Sequence, residues 1–271
     1  MHPLSFIDTH CHIDSVLERL KIDSYPELRA RFFPPEFVAC ITISCDPEAI
    51  EPTLALLEEE SVYGAFGIHP HDAKNYTPEV ESRIGSALKH PKCVAYGEIG
   101  LDYHYDSSPR EIQREIFKQQ IAIGIAAQKP LIIHTREAEA DTLAVLREHA
   151  PSNWPIHVHC FTSSLEMGGN LLQHFSNLYI GFTGIVTFKN SDDVRAVAAH
   201  VPLERMLVET DAPYLAPDPY RGKPAHPGHI PRILEKLAEV KQRPVAEIAP
   251  ILLANARRVY GIKDGTEETT G

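Results

Sequence analysis

The chain has 271 residues, 43% of them hydrophobic and 23% charged, the composition of a globular protein able to bury a full core. A formal net charge of −11 excludes a protein that coats nucleic acid through an extended basic surface, though not an enzyme that grips one phosphate in a pocket lined by bound cations. Met1–Ser5 has no basic region leading into an apolar stretch, and no segment approaches the ~20 apolar residues that span a bilayer, so the expected location is cytoplasmic.

In chain order, the apolar runs are Ser5–Asp8, Phe37–Ser44, Val62–Ile68 and Cys93–Ile99, followed by Pro130–His134, Ile156–Cys160, Leu178–Phe182 and Met206–Glu209. Most are short, rich in Val, Ile and Tyr, and uninterrupted, which is the texture of strands buried on both faces of a parallel sheet. Helical patterns fill the gaps. Asp46 is placed to cap Pro47–Glu60, and Thr77–His90, Pro109–Gln128, Arg136–His149, Leu165–His174, Ser191–His200 and Pro231–Lys241 follow the same logic. The alternation predicts an α/β fold, a single-domain (β/α)8 TIM barrel over residues 1–262. Val245–Tyr260 is expected to close the barrel bottom, and 263–271 to form a frayed polar tail. A doubly wound open sheet is the competing architecture, but no G-x-G-x-x-G follows the first strand.

The same residue types recur at the ends of these runs. Asp8-Thr9-His10-Cys11-His12 spaces polar side chains two apart, so on an extended chain they share a face, and His10 and His12 can converge on one metal. Glu98 ends an apolar run, where a carboxylate is costly unless paired or coordinated, and its two oxygens suit it to bridge cations. His134, His159 and Asp211 close three further runs. Asp211 can also take a proton from water, and Glu209, two residues earlier, is placed to orient ligands. His157 lies one layer deeper than His159 and reads as a hydrogen-bonded core histidine. His69, in Gly67-Ile68-His69-Pro70-His71, is a candidate for a phosphate or leaving-group contact. Arg136, Arg221 and Lys223 follow strand ends and are candidates to hold a substrate phosphate. His104, His149, His174, His200 and His229 are expected on the surface or on helix faces. Five cysteines without a C-x-x-C pair argue against a disulfide framework or zinc ribbon, and strand alternation predicts Cys11 and Cys160 as small core residues.

With these motifs, and with Gly97-Glu98-Ile99-Gly100-Leu101-Asp102-Tyr103, His134-Thr135-Arg136, His159-Cys160-Phe161-Thr162, Glu209-Thr210-Asp211-Ala212-Pro213-Tyr214-Leu215 and Arg221-Gly222-Lys223, the chain resembles the TatD family of metal-dependent deoxyribonucleases, within the amidohydrolase-like barrels, from about Phe6 to Ile262. The resemblance implies two divalent metal ions (zinc, manganese or magnesium), one held by His10, His12 and Asp211, the other by His134 and His159, with Glu98 bridging. It implies DNA, as ends or single strands, for a substrate and 3′-5′ exonuclease action, with no membrane or stable protein partner. Ser163 stands where the family commonly has glycine, and Ala225 and His226 where it often has asparagine and an acid; both departures fall in loops expected to touch substrate.

The expected reaction is metal-assisted phosphodiester hydrolysis, in which Asp211 and Glu98 serve catalysis and Asp211 takes the proton of the attacking water. His69 would attend the leaving oxygen, and Arg136 and Lys223 would hold the phosphate in line. The same ligands would serve hydrolysis of a small amide, lactone or phosphoester, because function resides in the site rather than the fold. A metal-stabilised scaffold or DNA-end binder without turnover is the remaining reading, and the complete ligand set argues against it.

Overall fold

Short apolar runs without alternation need cover on both faces, and the chain supplies it by curling its strands into a barrel with helices outside. The computed structural model describes residues 4–105 and 107–263. The strands are β1 (Phe6–Cys11), β2 (Phe37–Ser44), β3 (Val62–Phe66), β4 (Cys93–Asp102), β5 (Leu131–Arg136), β6 (Ile156–Val158), β7 (Leu178–Phe182) and β8 (Met206–Val208), each parallel to the next in chain order. Each lies within a residue or a few of its expected place. The predicted TIM barrel is the fold.

The helices are α1 (Ile13–Leu20), α2 (Tyr25–Phe32), α3 (Ile50–Leu56), α4 (Pro78–Ala87), α5 (Arg110–Ala126), α6 (Glu139–His149), α7 (Leu165–His174), α8 (Asp192–His200), α9 (Ile230–Lys241) and α10 (Val245–Tyr260). Asp46 Oδ1 accepts the amides of Glu48 and Ala49, both at 2.9 Å, and so supports the turn into α3. The sequence reading has no counterpart for α1 and α2. Both carry local signals: α1 buries Ile13 and Val16 at helical spacing, and Ser24 caps α2 by accepting the Glu27 amide, with Pro26 in the first turn. All of the predicted tail beyond Lys263 lies outside the described residues.

Two apolar layers result. The larger packs the outer strand faces against the helices. The smaller fills the barrel floor, where Ile7, Ile41, Ala65, Ile132 and Leu207 meet Leu253, Ala256 and Tyr260 of α10. That helix therefore closes the bottom, as predicted. The barrel seam closes just past β8: Cys11 and Ala212 form a parallel bridge, the Asp211 amide donates to His10 O at 2.9 Å, and the His12 amide donates to Ala212 O at 2.7 Å. Asp8 adds a side-chain clasp, accepting the Thr210 amide at 3.0 Å and its hydroxyl at 2.6 Å.

Candidate metal centre

Barrel closure brings the strand ends to one pole, around a cavity of about 700 Å³. Glu98 lies at its floor, 3% exposed, and divides its oxygens between two groups of candidate ligands. Oε1 lies 2.7 Å from His159 Nε2 and 2.8 Å from His134 Nδ1. Oε2 lies 3.4 Å from His10 Nε2. Across from it, Asp211 Oδ1 is 3.6 Å from both His10 Nε2 and His12 Nε2. All six residues expected at the centre are thus gathered in one place, with the His10 and His159 rings stacked at 3.9 Å.

This geometry fits cations better than it fits hydrogen bonds alone. His10 is wholly buried, yet neither ring nitrogen has a hydrogen-bond partner, and His159 Nδ1 is orphaned as well. Buried imidazole nitrogens without partners are costly; coordination of lone pairs by a divalent ion removes that cost. Burial would raise the Glu98 pKa, but the imidazoles gathered around it, His159 and His69 first and then His10 and His134, outweigh it and hold the carboxyl well below its usual range. Burial, reinforced by His159, pushes His10 down to about 4. An anionic carboxylate and a neutral imidazole are the forms that ligate metal.

Close approach of the backbones makes the cluster possible. A Cβ on Gly100, whose φ is +147°, would meet His134 O at 1.9 Å, so only glycine lets β4 pass beneath the ligand on β5. Gly181 leaves room for Glu209 and His157, each within 2.4 Å of where a Cβ would stand. Glu209 accepts the Cys160 amide at 2.5 Å and lies 2.9 Å from His157 Nε2. His157 is the core histidine expected, with Nδ1 2.6 Å from the Tyr260 hydroxyl.

Two residues given no role in the sequence reading complete the site. Asp102 Oδ2 is 3.1 Å from His134 Nε2 and 3.0 Å from His71 Nε2. Its Oδ1 accepts the amides of His104 at 2.9 Å and Tyr105 at 3.2 Å. All the acceptor positions of this buried carboxylate are taken, and it anchors His134 from behind. The spacing carried a signal, because Asp102 follows Glu98 by four residues on one strand. His69 is drawn in too, with Nε2 3.5 Å from Glu98 Oε1. Its Nδ1 accepts the His71 amide at 3.1 Å, which leaves the proton on Nε2 as a donor rather than a lone pair for a metal.

Other expectations fare differently. Arg136 lines the cavity, whereas Arg221 and Lys223 do not. The loop after β8 folds back on itself, with the Ala225 amide on Pro213 O, so that its tip is exposed and Arg221 lies over the Phe188 ring at 3.5 Å. Cys11 is a core residue as predicted, but Cys160 is not: it lines the cavity. Its φ of +43° breaks the extended geometry on which strand alternation depends. His229 is buried rather than on the surface, stacked on His226 at 3.9 Å and on Tyr220 at 4.5 Å.

Comparison with known proteins identifies the family and supports the fold. The family model described as TatD related DNase matches residues 7–261. The chain is 38% identical to the human 3′-5′ RNA nuclease TATDN2 over 95% of its own length, although it spans only 35% of that longer protein. It is 37% identical to YabD of Bacillus subtilis, a metal-dependent hydrolase, covering 94% of this chain and 98% of that one. Among solved structures, YjjV, a TatD homologue from Escherichia coli, superposes with a TM-score of 0.83 at 28% identity, covering 96% of this chain and all of the other.

Proposed function

The chain belongs to the family of TatD-related DNases and is a metal-dependent hydrolase; from that premise we propose that it cleaves nucleic-acid phosphodiesters, removing nucleotides from the 3′ end. The family description supports DNA as the substrate, and the human relative's name brings RNA beside it. The observation that carries the reading is Glu98 dividing its two oxygens between two ligand groups at the floor of an open cavity.

In this proposal His10, His12 and Asp211 would hold one divalent ion and His134 and His159 the other, with Glu98 within reach of both. Bound there, the ions supply Lewis acidity that lowers the pKa of water and offsets phosphoryl charge. Asp211 Oδ1 stands at the open side of the cluster, its side chain 15% exposed, where it can take the proton of an attacking water. His69 holds a proton on Nε2 beside Glu98 and can donate a hydrogen bond toward the leaving oxygen. Arg136, on the cavity wall, faces the substrate.

The test uses 3′-labelled single-stranded DNA and RNA with Mg²⁺, Mn²⁺ or Zn²⁺. Asp211→Asn and His159→Ala are expected to lower turnover by at least about a hundredfold. Unchanged turnover in both variants, or hydrolysis of small amides, lactones and phosphoesters alone, would overturn the nuclease reading.

A further inference from the structure

The cavity rim carries aromatic rings that metal chemistry leaves unused. Among the described residues the exposed large apolar or aromatic side chains are few, and two of them line the cavity: Tyr105, 50% exposed, and Tyr214, 46% exposed. Tyr105 follows β4 and Tyr214 follows β8, strands four places apart in a ring of eight. The two rings therefore stand on opposite sides of the metal centre.

Both are mounted in the same way. An arginine lies over each ring, Arg136 at 5.0 Å from the Tyr105 centroid and Arg19 at 4.6 Å from that of Tyr214. A histidine of the site meets each ring edge-on. For Tyr105 it is His71, at 5.4 Å and 85°; for Tyr214 it is His12, at 6.2 Å and 77°. Such contacts fix a ring's orientation while leaving about half of it open to solvent.

We propose that Tyr105 and Tyr214 are a pair of stacking platforms that hold the nucleobases on either side of the scissile phosphate in a single-stranded nucleic acid. The proposal rests on the nuclease reading and extends it to how substrate is gripped. Charge is the reason a grip of this kind is needed. The cavity is lined by six carboxylates (Asp14, Asp46, Asp72, Glu98, Asp102 and Asp211) against one arginine, and the chain's net charge is −11. A polyanion finds no basic groove here, so affinity must come from bound cations and from contacts indifferent to charge. Stacking of bases on aromatic rings is such a contact, and it tolerates any sequence because every base has a π-face. The arginine behind each ring adds a cation–π layer to the stack. A base paired within a duplex cannot lie on either ring, which makes single strands and frayed ends the preferred substrates.

The experiment measures steady-state cleavage of a 5′-labelled single-stranded oligonucleotide, as DNA and as RNA, by the wild type, Tyr105→Ala, Tyr214→Ala and the two Tyr→Phe variants. A matched oligonucleotide carries tetrahydrofuran abasic residues on both sides of the target phosphodiester. Each alanine variant should raise KM about tenfold or more, with a smaller change in kcat, and each phenylalanine variant should stay near the wild type. On the abasic oligonucleotide the wild type should rise to the KM of the alanine variants. Alanine variants that keep the wild-type KM, or that lose the same factor again on the abasic oligonucleotide, would overturn the platforms while leaving the nuclease reading intact. A wild type that leaves both DNA and RNA uncut would overturn that reading and the platforms with it. Both rings are half exposed, so each variant should fold, and its melting curve is recorded beside that of the wild type to check this.

Discussion

Asp102 meets a candidate ligand of a neighbouring strand, His134, through that ring's second nitrogen. With Oδ1 occupied by two amides and Oδ2 by His71 and His134, it keeps the His134 proton on Nε2 and turns Nδ1 toward Glu98 and His159. Asn at this position offers one acceptor oxygen and places a donor against an imidazole N–H. Asp102→Asn should therefore weaken metal binding by about 10- to 100-fold, measured by calorimetric titration of chelator-treated protein with Mn²⁺ or Zn²⁺. Affinity equal to the wild type would show that Asp102 does not position His134. At this scale the six ligand candidates were legible because each ends an apolar run. Asp102 was harder to see because Gly100 interrupts the polar face it shares with Glu98. Tyr105 and Tyr214 gave no signal of their own, since exposure of a ring depends on the loop that carries it.

The elements show why loops are less readable than strands. Beyond the ends of β5, β6 and β8 the chain turns through left-handed residues: Glu137 at φ 51°, Cys160 at 43°, Asp211 at 55° and, further along the last loop, Leu215 at 54°. None of these is glycine, so composition does not announce the turns. The long connection after β8 is pinned to α2 instead, by Phe32 on His226 at 4.7 Å and by His226 on His229. Burial pushes His226 down to about 3, with His229 adding to the effect, and burial pushes His229 down to about 4. Both stay neutral in the folded protein, whereas the unfolded chain binds their protons near pH 6.5. Their contribution to stability is complete above about pH 6.5 and falls as pH drops toward about 4. His226→Phe keeps a ring in the stack and removes one titrating group. Its melting temperature should fall less steeply than that of the wild type between pH 6.5 and 4.5, and parallel curves would contradict this account. The missed helices α1 and α2 have a related cause: the first turn of α1 begins at Ile13, immediately after the metal motif, where polar spacing masks helical spacing.

For the whole molecule, the barrel was readable because apolar strands and amphipathic helices alternate along the entire chain, and α10 could be assigned to the bottom because it follows the last strand. How the ring joins was not readable, because the joint is made largely of main-chain atoms. Ions that bind the folded barrel alone stabilise it by mass action, about 2.7 kcal/mol when free metal exceeds Kd a hundredfold. Chelator treatment should thus lower the melting temperature by roughly 5–10 °C, and adding back Zn²⁺ or Mn²⁺ should restore it. A melting curve indifferent to both would argue against resident metal. At the seam, the His10 carbonyl and the Asp211 amide make one hydrogen bond, while their side chains meet again as candidate ligands, Nε2 and Oδ1 3.6 Å apart. Main chain builds the container and side chains furnish it. A descendant that traded both side chains away could fall silent as an enzyme and still keep its shape, so a barrel like this one is free to be reused for another purpose.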